Sequence, residues 1–229
     1  RDVPAEVAVA VSVNGSTHAV MMATPLDLEN LAVGLALNER IVQHPGEIET
    51  LDCVQTESGY DCRLWISADR ASRYTKRRRQ MTGPVGCGLC GVESLELARP
   101  PLPHVGADLR VSPTAIAAGM RGMEGRQTLG RATRAVHAAG WADGEGNTRF
   151  VFEDVGRHNA LDKLAGALAR GGVDAAAGFV TVTSRVSVEL IQKCAVMGCG
   201  LLAAVSVPTE LAVGVARDSG ITLVAVCRG

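Results

Sequence analysis

Aromatic side chains are scarce in this chain of 229 residues: two Trp, two Tyr and three Phe, 3% of the total. Its core must be assembled from small aliphatic groups, and 47% hydrophobic residues suffice for one large domain or two modest ones. Charge of one sign is also lacking. Lys and Arg number 23 against 24 Asp and Glu, a formal net charge of -1, which excludes a dedicated nucleic-acid binder with a basic surface. No apolar run approaches the roughly 20 residues of a membrane span. The first residues carry no signal-peptide pattern, so a soluble cytoplasmic protein with no membrane or nucleic-acid partner is expected. Seven cysteines are an odd number, which excludes complete pairing within one chain and fits a reducing compartment. No second Cys-x-x-Cys accompanies the one at Cys87 and Cys90, and no internal repeat stands out.

What is present begins with period-two valines. Val7, Val9, Val11 and Val13 run into Asn14-Gly15 and resume at Thr17 to Met22, the signature of a tight β-hairpin. Leu28, Leu31, Ala32 and Leu35 then predict a helix over residues 27–38. A second hairpin is predicted at 48–54 and 61–67, turning near Ser58-Gly59. In that pairing Cys53 and Cys62 face each other, and we read them as two small core residues rather than a disulfide or metal site. From residue 70 to about residue 110 regular signals fade. This stretch holds Lys76-Arg77-Arg78-Arg79, a glycine-rich cysteine loop, a short helix at 92–98 and Pro100-Pro101-Leu102-Pro103, and reads as a catalytic arm plus an interdomain linker. Ser112-Pro113 opens a helix whose apolar face is Ile116, Met120 and Met123.

The second half changes character. A hairpin is predicted at 132–139 and 149–152, joined by a glycine-rich turn at 140–146. Helices at 158–169, 186–197 and 209–219 then alternate with strands at 178–183, 201–206 and 221–226. Such alternation implies a mainly parallel sheet covered on both faces. The expected architecture is α/β: a smaller α+β N-terminal domain over 1–110, including the cysteine loop, and a three-layer α/β domain over 111–229.

Two constellations carry chemistry. Gly86-Cys87-Gly88-Leu89-Cys90-Gly91 sets two thiols two residues apart on backbone stripped of side-chain bulk, downstream of a basic run that can lower a thiol pKa, dock an acidic partner or simply be solvated. The pair suits half a zinc site, a thiol–disulfide redox centre, or a nucleophilic thiolate that carries sulfur as a persulfide with the second thiol assisting release. The motif alone does not choose between them. The second constellation is Glu153 to Lys163, where Arg157 and His158 stand at the start of a helix. Cations there are disfavoured by the helix dipole unless an anion shares the site. Thr183-Ser184-Arg185 and Ser206-Val207-Pro208-Thr209 also precede helices, and all three junctions fall at the carboxyl edge of one sheet, where open α/β sheets bind ligands. An anionic, nucleotide-bearing ligand is expected there. His137, in a strand among alanines, is either a satisfied core residue or a proton donor to this site.

These segments, together with Asp27-Leu28-Glu29-Asn30-Leu31-Ala32-Val33-Gly34, Gln192-Lys193, Ala203 to Thr209 and Leu211-Ala212-Val213, closely resemble the FdhD/NarQ family along nearly the whole chain. The resemblance implies a sulfurtransferase accessory to formate dehydrogenase. It would take sulfur from a cysteine desulfurase and pass it to the molybdenum bis(molybdopterin guanine dinucleotide) cofactor of the client enzyme. Carried over by position, Cys87 would bear the persulfide and Cys90 would assist. Arg157, His158, Asn159, Ser184, Arg185, Ser206, Pro208 and Thr209, with Val226, Cys227, Arg228 and Gly229, would line the cofactor pocket, and no metal would be bound directly by side chains. The C-terminal half would resemble the cytidine deaminase fold, without its activity. The turn that should carry a Pro-Cys-x-x-Cys zinc motif reads Thr183-Ser184-Arg185-Val186-Ser187. A homodimer that shields the persulfide is expected by the same analogy. Family members usually carry a glycine pair where this chain has Arg134-Ala135.

Overall fold

The computed structural model describes residues 2–78, 101–106 and 109–227. Arg79, Cys87, Cys90, the helix expected at 92–98, Arg228 and Gly229 lie outside the described residues.

The alternating valines form β1 (Val7–Val13), which pairs with β2 (Ser16–Ala23) through Asn14 and Gly15, both left-handed (φ 46° and 77°) as a tight hairpin requires. β3 (Ile48–Thr56) and β4 (Gly59–Ile66) make the second hairpin, and β1 joins β4 in parallel to give the sheet order β2-β1-β4-β3. Helix α1 (Leu28–Asn38) lays Leu28, Leu31, Ala32 and Leu35 into a core with Val9, Val11, Cys62 and Leu64. Helix α2 (Ala68–Arg78) corrects the irregular arm expected from residue 70 onward. Its sequence is too polar for an apolar stripe. Ala71 and Tyr74 pack on the N-terminal core, and polar contacts add to them: Arg70 with Glu47 at 2.7 Å and the Tyr74 hydroxyl with His18 Nδ1 at 2.9 Å.

In the second half α3 (Pro113–Arg126) starts where Ser112 Oγ accepts a hydrogen bond from Ala115 N at 3.1 Å. It is followed by α4 (Thr128–Thr133), β5 (His137–Asp143), β6 (Thr148–Asp154), α5 (Arg157–Arg170), β7 (Gly178–Val182), α6 (Val188–Met197), β8 (Leu201–Ala204), α7 (Glu210–Asp218) and β9 (Thr222–Val224). The sheet order is β6-β5-β7-β8-β9. Two expectations are corrected. The sheet is mixed, because β5 runs antiparallel to both β6 and β7, and only β7, β8 and β9 are mutually parallel. The expected turn at 140–146 is largely strand, and residues 132–133 end a helix. Gly140 is a strand glycine because a Cβ there would stand 2.7 Å from Thr181 Oγ1 on the neighbouring strand. Ala139, Trp141, Val180, Val182, Leu202 and Ala204 face α5, α6 and α7, while Ala138, Ala142, Phe179, Leu201 and Ala203 face α3, giving three layers. Leu102 and Val105 pack on the α5–α7 side, and Val105 N donates to Ser219 O at 2.7 Å.

The two sheets are joined by α1 lying on α5. A Cβ on Gly34 would fall 1.8 Å from Asp162 O, and one on Gly166 would fall 2.0 Å from Asn30 O, so backbone meets backbone at this crossing. No helix among the described residues is long and apolar enough to cross a membrane.

Candidate functional site

β6 runs in the same direction as β7, since both are antiparallel to β5. The carboxyl ends of β6, β7, β8 and β9 and the start of β5 therefore share one edge of the sheet. The structure gathers there nearly every described residue singled out from sequence. His137 is the register partner of Asp154, and Arg157 and His158 begin α5 immediately beyond. The β7–α6 and β8–α7 connections are tied together: Val186 bridges Pro208, Val186 N donates to Val207 O at 3.2 Å, and Thr209 N donates to Val186 O at 2.9 Å. The chain beyond β9 closes the edge, with Val226 N donating to Ser206 O at 3.2 Å and Cys227 N to Ala204 O at 2.9 Å.

At this edge open helix N-termini and cationic side chains meet the carboxylates of Glu189 and Glu210, which stand in the first turns of α6 and α7. The N-termini of α5, α6 and α7 all open onto it, and no side chain caps α5 at Gly156 or α6 at Ser187. Among the described residues, Arg157 Nε and His158 Nε2 are buried without a hydrogen-bond partner. Burial, reinforced by the positive charges of Arg157 and Lys193, pulls the pKa of His158 down to about 4. Burial and Arg157 also lower that of His137. Both imidazoles are thus held neutral near pH 7. Arg185 and Thr209 are exposed, and Ser184 is buried with its hydroxyl donating to Arg185 O at 2.9 Å. Val226 holds φ at 59°, a left-handed conformation that is unusual for a β-branched residue and that often marks functional loops.

On the α3 side of the same edge lies a cavity of about 700 Å³, lined by Met120 and Met123 from α3 and by Thr183, Val205, Val224 and Cys227 from the strand ends. Sequence reading placed Met120 and Met123 only in the core. Alternation of the strands supplied no hint that α3 leaves part of the sheet end open. Sequence reading also missed Glu189, which faces His158 from α6, and named Lys193 only within the Gln192-Lys193 motif; the i, i+4 spacing of the two was the available signal. Among the described residues no group of three or more His, Cys, Asp or Glu is placed to hold a metal ion.

The comparisons with known proteins decide the lineage. Residues 4–229 match the model of the FdhD/NarQ family. The chain belongs to that family. It is 50% identical over 230 residues to the sulfur carrier protein FdhD of Agrobacterium fabrum, covering 100% of this chain and 85% of the relative. It is 48% identical to the protein of the same name from Bordetella petrii, covering 97% of this chain and 80% of the relative. The crystal structure of a proposed formate dehydrogenase accessory protein from Desulfotalea psychrophila superposes with a TM-score of 0.75 at 24% identity, covering 99% of this chain and 84% of that one.

Within this FdhD/NarQ chain the Glu153–Lys163 motif does two jobs. Arg157 and His158 face the edge. Asp154, Asn159, Asp162 and Lys163 turn inward and staple the two halves together. Lys163 and Asp154 are fully buried and 2.6 Å apart, and Lys163 Nζ also donates to Thr24 O at 3.0 Å. Thr24 N donates to Asp154 Oδ2 at 3.0 Å, and Val155 N donates to Thr24 Oγ1 at 3.1 Å. The Asn159 amide donates to Met22 O and to Asp154 Oδ1, each at 2.9 Å, so its side chain is engaged with the staple. Asp162 accepts from Lys193 at 2.5 Å and from Asn38 at 2.6 Å, linking α5 to α6 and α1. The sequence carried no mark that Thr24 would take part.

Proposed function

We propose that this protein is a sulfur carrier acting in the maturation of formate dehydrogenase. The observation that carries the reading is its 50% identity, over its whole length, to a protein named sulfur carrier protein FdhD, in a chain that bears the glycine-flanked Cys87 and Cys90. In this reading the Cys87 thiolate attacks the terminal sulfur of a cysteine desulfurase persulfide. An S–S bond forms at Cys87 as the desulfurase thiolate leaves, so Cys87 holds one sulfane sulfur. Cys90 then attacks the inner sulfur of Cys87 and expels hydrosulfide, leaving a Cys87–Cys90 disulfide that cellular thiols reduce.

The acceptor substrate is the molybdenum bis(molybdopterin guanine dinucleotide) cofactor, bound at the carboxyl edge. The buried, unpartnered Arg157 Nε, the uncapped starts of α5 and α6, and the exposed Arg185 are chemically suited to its diphosphates. Ser206, Pro208 and Thr209 supply a hydroxyl-bearing turn, and the cavity beside Cys227 is large enough for a flat heterocycle. We read the β5–β9 sheet with its helices as a cytidine-deaminase-like fold turned to binding, because Ser184 and Arg185 stand where a deaminase would need metal-ligating thiols. A homodimer belongs to the same proposal.

The test is complementation in cells lacking their own carrier. This chain is expected to restore formate dehydrogenase activity, Cys87→Ala to restore none, and Arg157→Ala to restore a reduced level. Full restoration by Cys87→Ala would sink the reading; stoichiometric zinc lost with that substitution would favour a zinc-binding module, and a Cys87–Cys90 disulfide that reduces substrates without any desulfurase would favour a thiol–disulfide redox module.

A further inference from the structure

Cys53 and Cys62 lie outside the edge and outside the Cys87–Cys90 pair. They are direct register partners on β3 and β4, and both are free thiols. Directly opposed residues of an antiparallel pair have Cα atoms about 4.5–5.5 Å apart and side chains on one face, inside the roughly 4.4–6.8 Å that a disulfide spans. The two thiols differ in access. Cys62 is fully buried, with Sγ 3.8 Å from Leu28 O. Cys53 is half-buried on β3, an edge strand that has a neighbour on one side only. Contact with the other thiol holds the pKa of Cys53 below its ordinary value and, with burial, pushes that of Cys62 up. Glu29, Asp52, Asp61 and Arg170 are the charged groups around the pair.

We propose that Cys53 and Cys62 form a second redox site, in which Cys53 is the reactive thiol toward peroxide and Cys62 resolves it to a cross-strand disulfide. The Cys53 thiolate attacks one oxygen of hydrogen peroxide; the O–O bond breaks, and Cys53 becomes a sulfenic acid as hydroxide leaves. Cys62 sulfur then attacks the sulfenic sulfur, the S–O bond breaks, and the Cys62 proton departs with the oxygen as water. Overall two thiols and one peroxide give one disulfide and two waters, and a dithiol reverses the change. The product clips edge strand β3 to β4.

The tryptic peptide spanning residues 41–63 begins after Arg40, ends at Arg63 and contains these two cysteines and no other. Folded protein is treated with hydrogen peroxide, quenched with catalase, then denatured in N-ethylmaleimide and digested. The peptide is expected two hydrogens lighter and free of maleimide, and dithiothreitol before alkylation restores two maleimides. In Cys53→Ala, Cys62 is expected to keep its maleimide through the same treatment. Two maleimides on the treated wild-type peptide, a sulfinic acid at Cys53 beside an alkylated Cys62, or equal oxidation of Cys62 in Cys53→Ala would each overturn the proposal.

Discussion

Lys163 is the residue whose removal should be felt most. It is a fully buried cation paired with a fully buried Asp154, and its ammonium also donates to Thr24 O and to Glu153 O. Lys163→Met removes the countercharge from buried Asp154, so thermal or denaturant unfolding should show a loss of about 3–5 kcal/mol. His158 governs acid sensitivity. Its folded pKa of about 4 lies below the ordinary 6.5. Between those values the unfolded chain takes up a proton that the folded chain refuses, so stability is full above 6.5 and declines as pH falls toward 4. The contribution reaches at most about 3 kcal/mol. Unfolding measured across that interval should show a shallower slope for His158→Gln than for wild type. An unchanged slope would mean that His158 is not held neutral. At this scale the sequence was informative where charge met helix start, as at Arg157 and His158. It was silent where partners are far apart in the chain, as with Thr24 and Lys163. Arg134 is instructive: it sits in the left-handed region at φ 56° at the end of α4, a conformation that glycine adopts more readily.

Among elements, the α1–α5 crossing joins the two sheets. Gly166→Ala places a methyl group where Asn30 O now lies, and backbone cannot move aside as a flexible side chain would. The helices must separate, straining the Asn38–Asp162 and Asp162–Lys193 contacts. A loss of about 1–3 kcal/mol or more is expected in denaturant titration, and an unchanged midpoint would show that the crossing yields freely. Strands and helices with clear periodicity were legible: β1, β2, α1 and the α5-to-β9 series fall close to their expected places. The misses have separate causes. Glycine reads as a turn in sequence, yet Gly140 serves a close strand contact. The polar α2 hides its period because Ala71 and Tyr74 meet the core from among charged residues, with the Arg70–Glu47 ion pair and a Tyr74–His18 bond adding to their packing.

For the whole molecule, two sheets clamped through α1 and α5 hold an edge built from four strand ends, where we propose that the acceptor binds. The parallel run β7-β8-β9 was foreseeable from alternating elements, whereas the antiparallel β5 was not. A local hairpin signal says nothing about which partner lies on the strand's other side. We propose that Cys87 carries sulfur, and intact mass spectrometry after incubation with a cysteine desulfurase and cysteine reads this out. An adduct of one sulfur atom is expected on the wild-type chain, mapped to Cys87 and absent from Cys87→Ala. An adduct that persists in Cys87→Ala, or none on the wild-type chain while the desulfurase itself is loaded, would contradict the proposal.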